Sequence, residues 1–197
     1  MTLFLDTHHI ARLHDEGHVG MRDYVGAVER AYREQGEGRL QLLPRQNFWM
    51  AGADAANRGP SLKVAAAVLE GLGVIGIPLY TAGYRRGVID LWIALMSTKT
   101  GEMLAHIHGQ SMSLWKTGAM AAVATRHMAR ADAATVGMIG TGQYARTQLL
   151  GLSAVREIRS LRCYSRNAEN RARFADWARG AVPGLAVTPV DTGRAAA

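Results

Sequence analysis

Between Met21 and Tyr32 the apolar side chains Met21, Tyr24, Val25, Val28, Ala31 and Tyr32 recur at three- and four-residue spacing. That period places them on one face of a helix, and Gly36 and Gly38 end it. Ahead of it, residues 2–5 read as a short strand, and Asp6 as the cap of a helix running to about His14. Behind it the pattern becomes extended, with strands predicted over 46–50, 61–69, 73–79, 88–96 and 102–108. Thr100-Gly101 supplies a turn, so 93–108 reads as a hairpin. An alanine- and methionine-rich helix is predicted over 111–128.

Beyond residue 128 the pattern changes to strict alternation. Strands at 135–139, 159–164 and 186–189 are separated by helices at 142–155 and 167–179. This βαβαβ order predicts a parallel sheet wound with helices, hence an α/β fold. Its first strand runs into Gly140-Thr141-Gly142-Gln143-Tyr144-Ala145, a G-x-G-x-x-A turn. The first glycine permits the tight turn, the second lets backbone approach a pyrophosphate, and the alanine allows close helix–strand packing. Helix N–H groups and the positive end of the helix dipole then face the anion.

The second strand ends Cys163-Tyr164-Ser165-Arg166-Asn167. An acid there would favour the free 2′-hydroxyl of NAD. This chain instead offers a hydroxyl followed by a guanidinium, which pairs with a 2′-phosphate and favours NADP over NAD. The other reading of Ser165 and Arg166 is the cap and first turn of the next helix.

Composition narrows the class. The chain has 197 residues, 48% hydrophobic and 20% charged, as expected of a globular protein. No apolar run has the length of a membrane span, and the N-terminus lacks the basic and apolar regions of a secretion signal. The single cysteine, Cys163, forms no internal disulfide and fits a packing role in a reducing, cytoplasmic setting. The formal charge of +7 is spread along helix faces rather than blocked, which argues against a nucleic-acid partner. His106 and His108 alternate on one strand and His8 and His9 are adjacent, but no Cys or acidic side chain falls at zinc spacing, so no metal is expected.

Several motifs in order carry a resemblance. Thr100-Gly101-Glu102-Met103-Leu104-Ala105, Leu114-Trp115-Lys116-Thr117-Gly118-Ala119, the glycine turn with Arg146-Thr147-Gln148, and Ser165-Arg166-Asn167-Ala168-Glu169-Asn170 follow one another. The chain from about residue 20 onward resembles the ornithine cyclodeaminase/mu-crystallin family. The resemblance implies an N-terminal α+β substrate and dimerisation domain with its connecting helix, 1–128, followed by a Rossmann-type NAD(P)-binding unit, 129–197. It implies a homodimer and a small amino- or imino-acid substrate. The implied chemistry is hydride transfer at Cα through an imine, as in ornithine cyclodeamination, alanine dehydrogenation or ketimine reduction. The alternatives are a non-catalytic, mu-crystallin-like binder of NADP(H) or small acids, and an inactive fragment.

Carried onto this chain, the resemblance makes Arg45 and Lys63 the catalytic and substrate-binding basic residues. A guanidinium clamps a substrate carboxylate, and a lysine in a pocket exchanges protons with an amine or imine. By themselves, Arg45 also reads as a solvated loop arginine beside Pro44, and Lys63 as a strand lysine reaching the surface. Lys116 joins the substrate site where the family carries arginine, keeping the charge but not the fork. The implied cofactor contacts are Lys116, Thr117, Gly140, Thr141, Gly142, Gln143, Tyr144, Ser165, Arg166 and Asn170. Tyr80, Thr81, Tyr84, Arg85, Arg86 and Asp90 read either as pocket lining or as an exposed loop. The Rossmann pattern stops after its third strand, so the acidic catalytic residue that the family places further on has no counterpart here, and a C-terminally truncated sheet is expected.

Overall fold

The computed structural model describes residues 1–54, 59–84 and 90–197. Its contacts divide the chain into two units, Met1–His18 with Arg30–Ser113, and Val19–Glu29 with Leu114–Ala197.

The first unit is built on a six-stranded sheet. Its strands are β1 (Leu3–Leu5), β2 (Leu40–Trp49), β3 (Ser61–Leu69), β4 (Val74–Ala82), β5 (Asp90–Ser97) and β6 (Met103–His108). They lie in the order β1-β6-β5-β4-β3-β2, parallel between β1 and β6 and antiparallel elsewhere. Helix α1 (Thr7–Asp15) follows β1, and the Asp6 carboxylate accepts from the backbone N–H groups of His8 and His9. Those bonds and His9 hold the Asp6 carboxyl below the usual carboxylate range.

Two strand ends differ from the sequence reading. β2 begins at Leu40 rather than at 46. The run Leu40-Gln41-Leu42-Leu43 does not alternate, and Pro44 has no N–H to offer. It still pairs, because β2 is an edge strand whose register shifts between Leu43 and Gln46, where a proline is tolerated. β4 continues past 79, with Tyr80, Thr81 and Ala82 paired to Lys63, Leu62 and Ser61. Tyr80 and Thr81 are therefore strand residues, not loop residues. Arg85, Arg86 and the expected start of β5 at Val88 lie outside the described residues.

The second unit holds a parallel sheet, β7 (Thr135–Ile139), β8 (Ser160–Tyr164) and β9 (Ala186–Pro189), in that order. Helices α4 (Gln143–Val155) and α5 (Ala168–Ala181) make the crossovers that parallel pairing requires. Met138, Leu149, Leu161, Cys163 and Phe174 form the core between sheet and helices. This is the expected α/β arrangement. Burial pushes the Cys163 thiol up, which fits packing rather than chemistry. A final turn, α6 (Gly193–Ala196), was not anticipated: the Thr192 hydroxyl accepts from Ala195 N at 3.0 Å, and no apolar period marks so short a helix.

The first turns of α2 (Met21–Gly36) pack Met21 and Val25 on Ala119, Ala122 and Val123 of α3 (Gln110–Met128). From Leu114 onward α3 groups with the second unit, so the division falls inside this helix rather than at 128/129. Among the described residues no helix is long and apolar enough to cross a membrane.

Candidate functional site

In an antiparallel sheet directly opposed residues share a face. Ser61 lies opposite Trp49 and Ala82, and Lys63 opposite Asn47 and Tyr80. The pleat therefore gathers Asn47, Trp49, Ser61, Lys63 and Tyr80 on one side of the first unit's sheet. Arg45 joins them from the irregular stretch of β2. A cleft of about 340 Å3 opens there, lined by Arg45, Asn47, Trp49, Ser61, Lys63 and Ala82 among others.

The cleft is electropositive. Among the described residues that line it, Arg45 and Lys63 are the charged ones and none is acidic. Arg45 Nη1 donates to the Tyr80 hydroxyl at 2.9 Å. Lys63 Nζ lies 5.9 Å from the centroid of the same ring. Ser61 is 1% exposed, and its Oγ has no hydrogen-bond partner among the described residues. Two cations, a hydroxyl and a side-chain amide around one cleft suit a small carboxylate.

The second cluster is the glycine turn of the second unit. Gly140 has φ +102, a conformation that favours glycine, and its N–H donates to Tyr164 O at 2.8 Å. Gly142 is the N-cap of α4, and among the described residues no side chain caps the helix. Ala145 is buried in the core beneath the turn. A glycine bend leading into an uncapped helix fits a dinucleotide pyrophosphate. Thr141 is half-buried, and Gln143 and Tyr144 are exposed on the first turn.

The remaining expected cofactor residues flank β8. Ser165 is half-buried and Arg166 exposed, and neither caps α5: Asn167 does, accepting from Asn170 N at 2.8 Å. Asn170 Oδ1 accepts from Arg173 within α5. Arg171 donates to Ser165 O at 3.1 Å and to Asp191 Oδ1 at 2.6 Å, tying the loop after β8 to the segment after β9. Lys116, exposed, and Thr117, half-buried, stand on α3 in the second unit. The structure thus brings Arg45 and Lys63 together in one unit, and the glycine turn and the Ser165–Arg166 loop together in the other.

No histidine is among the described residues that line the cleft. His106 and His108 pack on Trp92, with ring centroids 5.0 and 4.9 Å away. His108 also meets Thr7 Oγ1 at 2.8 Å and Asp90 at 3.3 Å. Among the described residues no group of three or more His, Cys, Asp and Glu side chains is placed to hold a metal ion. Tyr84 is exposed.

Asn47, Trp49 and Ser61 were not singled out in the sequence. The signal was present: each is two or four residues from Arg45 or two from Lys63, the period that keeps strand side chains on one face.

The family model described as ornithine cyclodeaminase/mu-crystallin matches residues 8–196. A Δ1-pyrroline-2-carboxylate reductase of Bacillus cereus is 32% identical over 127 residues, covering 62% of this chain and 39% of that enzyme. An L-lysine cyclodeaminase of Streptomyces rapamycinicus is 33% identical over 165 residues, covering 80% of this chain and 46% of the enzyme. The structure of Thermococcus litoralis Δ1-pyrroline-2-carboxylate reductase with NADH and L-proline superposes with a TM-score of 0.82 at 26% identity, covering 99% of this chain and 58% of that one. The chain spans about half the length of the relatives it matches.

Proposed function

The chain belongs to the ornithine cyclodeaminase/mu-crystallin family, and on that premise we propose that it carries the substrate cleft and the dinucleotide turn of an NAD(P)-dependent enzyme acting at the Cα–N bond of a small amino or imino acid. The observation that supports this reading is the pairing of Arg45 with Lys63 in a cleft whose described lining has no acid. Arg45 binds one end of the substrate by clamping its carboxylate with two N–H groups. Lys63 adds a point charge to the same carboxylate, or holds and gives up a proton at the substrate nitrogen. Lys116 is a third cation assigned to the substrate by the same reading.

The backbone from Gly140 to Tyr144 would hold the cofactor's pyrophosphate, with Thr117 as a further contact and Ser165, Arg166 and Asn170 meeting the adenosine end. When bound, the nicotinamide supplies or accepts the hydride at Cα. The guanidinium of Arg166 supports NADP(H) as the preferred form. The relatives named above include reductases and a cyclodeaminase, which supports an imine on the path without choosing its direction.

The homodimer implied by the family has support on the opposite side of the six-stranded sheet. Phe4, Leu43, Phe48 and Leu79 share that face through the strand register and are 59%, 50%, 56% and 36% exposed. An open apolar sheet face of this kind calls for a partner.

Titration of the chain with NADPH, NADH and pyrrole-2-carboxylate, a stable planar analogue of a cyclic imino acid, tests the reading through tryptophan fluorescence. Binding of pyrrole-2-carboxylate in the millimolar range or tighter is expected, together with tighter binding of NADPH than of NADH. Silence towards both nucleotides would remove the cofactor claim, and silence towards the acid would remove the substrate claim.

A further inference from the structure

Both cations of the cleft converge on Tyr80, which the sequence left between pocket lining and loop and to which the comparisons give no role. Tyr80 stands on β4 directly opposite Lys63. Its hydroxyl accepts from Arg45 Nη1 at 2.9 Å, and its ring lies 5.9 Å beneath the Lys63 ammonium. Arg45 comes from the bulged part of β2, where no regular ladder fixes the backbone, and its side chain is exposed. An arginine in such a place samples many rotamers, and each must be given up when a ligand binds. A hydrogen bond at one nitrogen removes much of that freedom beforehand and leaves the guanidinium's other donors for a carboxylate. The ring offers the ammonium the electron-rich face of an aromatic, a weak but directional attraction at this distance.

Resting on the carboxylate reading above, we propose that Tyr80 is the positioning residue of the cleft: its hydroxyl aims Arg45 and its ring steadies Lys63, so that both cations are set for the substrate carboxylate before it arrives. Tyr80 acts through these two residues. Its place within β4, paired on both sides, makes it rigid enough to do so.

Titration of the full chain with pyrrole-2-carboxylate, with thermal unfolding of each variant alongside, tests this. Tyr80→Phe keeps the ring and loses the hydroxyl. It should weaken binding about fivefold, the scale of one hydrogen bond, with an unchanged melting temperature. In an Arg45→Lys background, which has already lost the aimed fork, Tyr80→Phe should cost nothing more, because the two changes remove the same contact. Tyr80→Leu removes the ring as well and should bind more weakly than Tyr80→Phe. Wild-type affinity in Tyr80→Phe, or losses that add in the double variant, would overturn the proposal while leaving the carboxylate reading intact. No binding by the wild type would overturn both. Should Tyr80→Leu fail to fold, the Tyr80→Phe cycle still decides.

Discussion

Ser61 carries a hydroxyl that is buried without a partner among the described residues. A hydroxyl taken out of water unpaired is a net cost, commonly about 1–3 kcal/mol. Ser61→Ala removes that cost and leaves only a small void. The ligand-free chain should therefore keep its stability or gain up to about 1 kcal/mol, read as a melting temperature that holds or rises by a few degrees. A fall of several degrees would mean that the oxygen has a partner in solution. Arg45 and Lys63 show why residue identity alone left their roles open. An arginine beside a proline and a lysine in an apolar strand are common surface residues. What distinguishes them is that the register of β2, β3 and β4 sets them around one cleft. Asn47 and Trp49 are in the same position: their types are unremarkable and their period is informative only once the strand is known.

Helices α3 and α4 cross through two glycines. A Cβ added to Gly118 would strike the Thr147 carbonyl, and one added to Gly151 would strike the Gly118 carbonyl. Both obstacles are backbone, so neither can swing aside. Gly118→Ala should destabilise the chain by about 1–3 kcal/mol, visible as a lower denaturant midpoint with the m-value preserved. The end of α3 is held differently. Arg156 Nη2 donates to the carbonyls of Thr125 and Arg126 at 3.3 and 3.0 Å, putting a cation where the helix dipole is negative. At the same end of α3, Glu29 of α2 accepts from His127 Nε2 at 2.8 Å and from Arg126. The hydrogen bond from His127, helped by the charge of Arg126, holds the Glu29 carboxyl below its ordinary value of 4.5. A lowered carboxyl contributes stability that is full above that ordinary value and is lost as pH falls through the folded one. Glu29→Gln should therefore lower stability at neutral pH and flatten the acid limb of a stability–pH curve below about pH 4.5, the two curves converging in acid. An unaltered acid limb would show that the contact forms no stabilising pair. At this scale the sequence was most legible where one period ran unbroken. β3, β7 and β9 occupy the ranges that alternation and length assign them, 61–69, 135–139 and 186–189. β2 was legible only in part, because a proline and an unpatterned start hide a strand that is held by its neighbour.

At the scale of the molecule, each unit shows a different reason to exist. The second buries its own core of Leu149, Leu161, Cys163 and Phe174. The first buries few large side chains and leaves one sheet face apolar and open. If that face is the dimer surface, a charge in its midst should split the dimer. Phe48→Glu is expected to shift the mass in sedimentation or light scattering from two chains to one, and to leave pyrrole-2-carboxylate binding within about twofold, since Phe48 points away from the cleft across the pleat. A wild-type chain that is already monomeric at tens of micromolar would refute the assignment. The sequence by itself determined the βαβαβ order, the glycine turn, the cap at Asp6 and the family, because each depends on residues near one another in the chain. Only the tertiary structure decided that Arg45, Lys63 and Ser61 share one cleft, that Tyr80 backs its two cations, and that α3 from Leu114 onward groups with the second unit. Strand register and helix crossing join residues tens of positions apart, and nothing in a local period records which partner a strand or helix will meet.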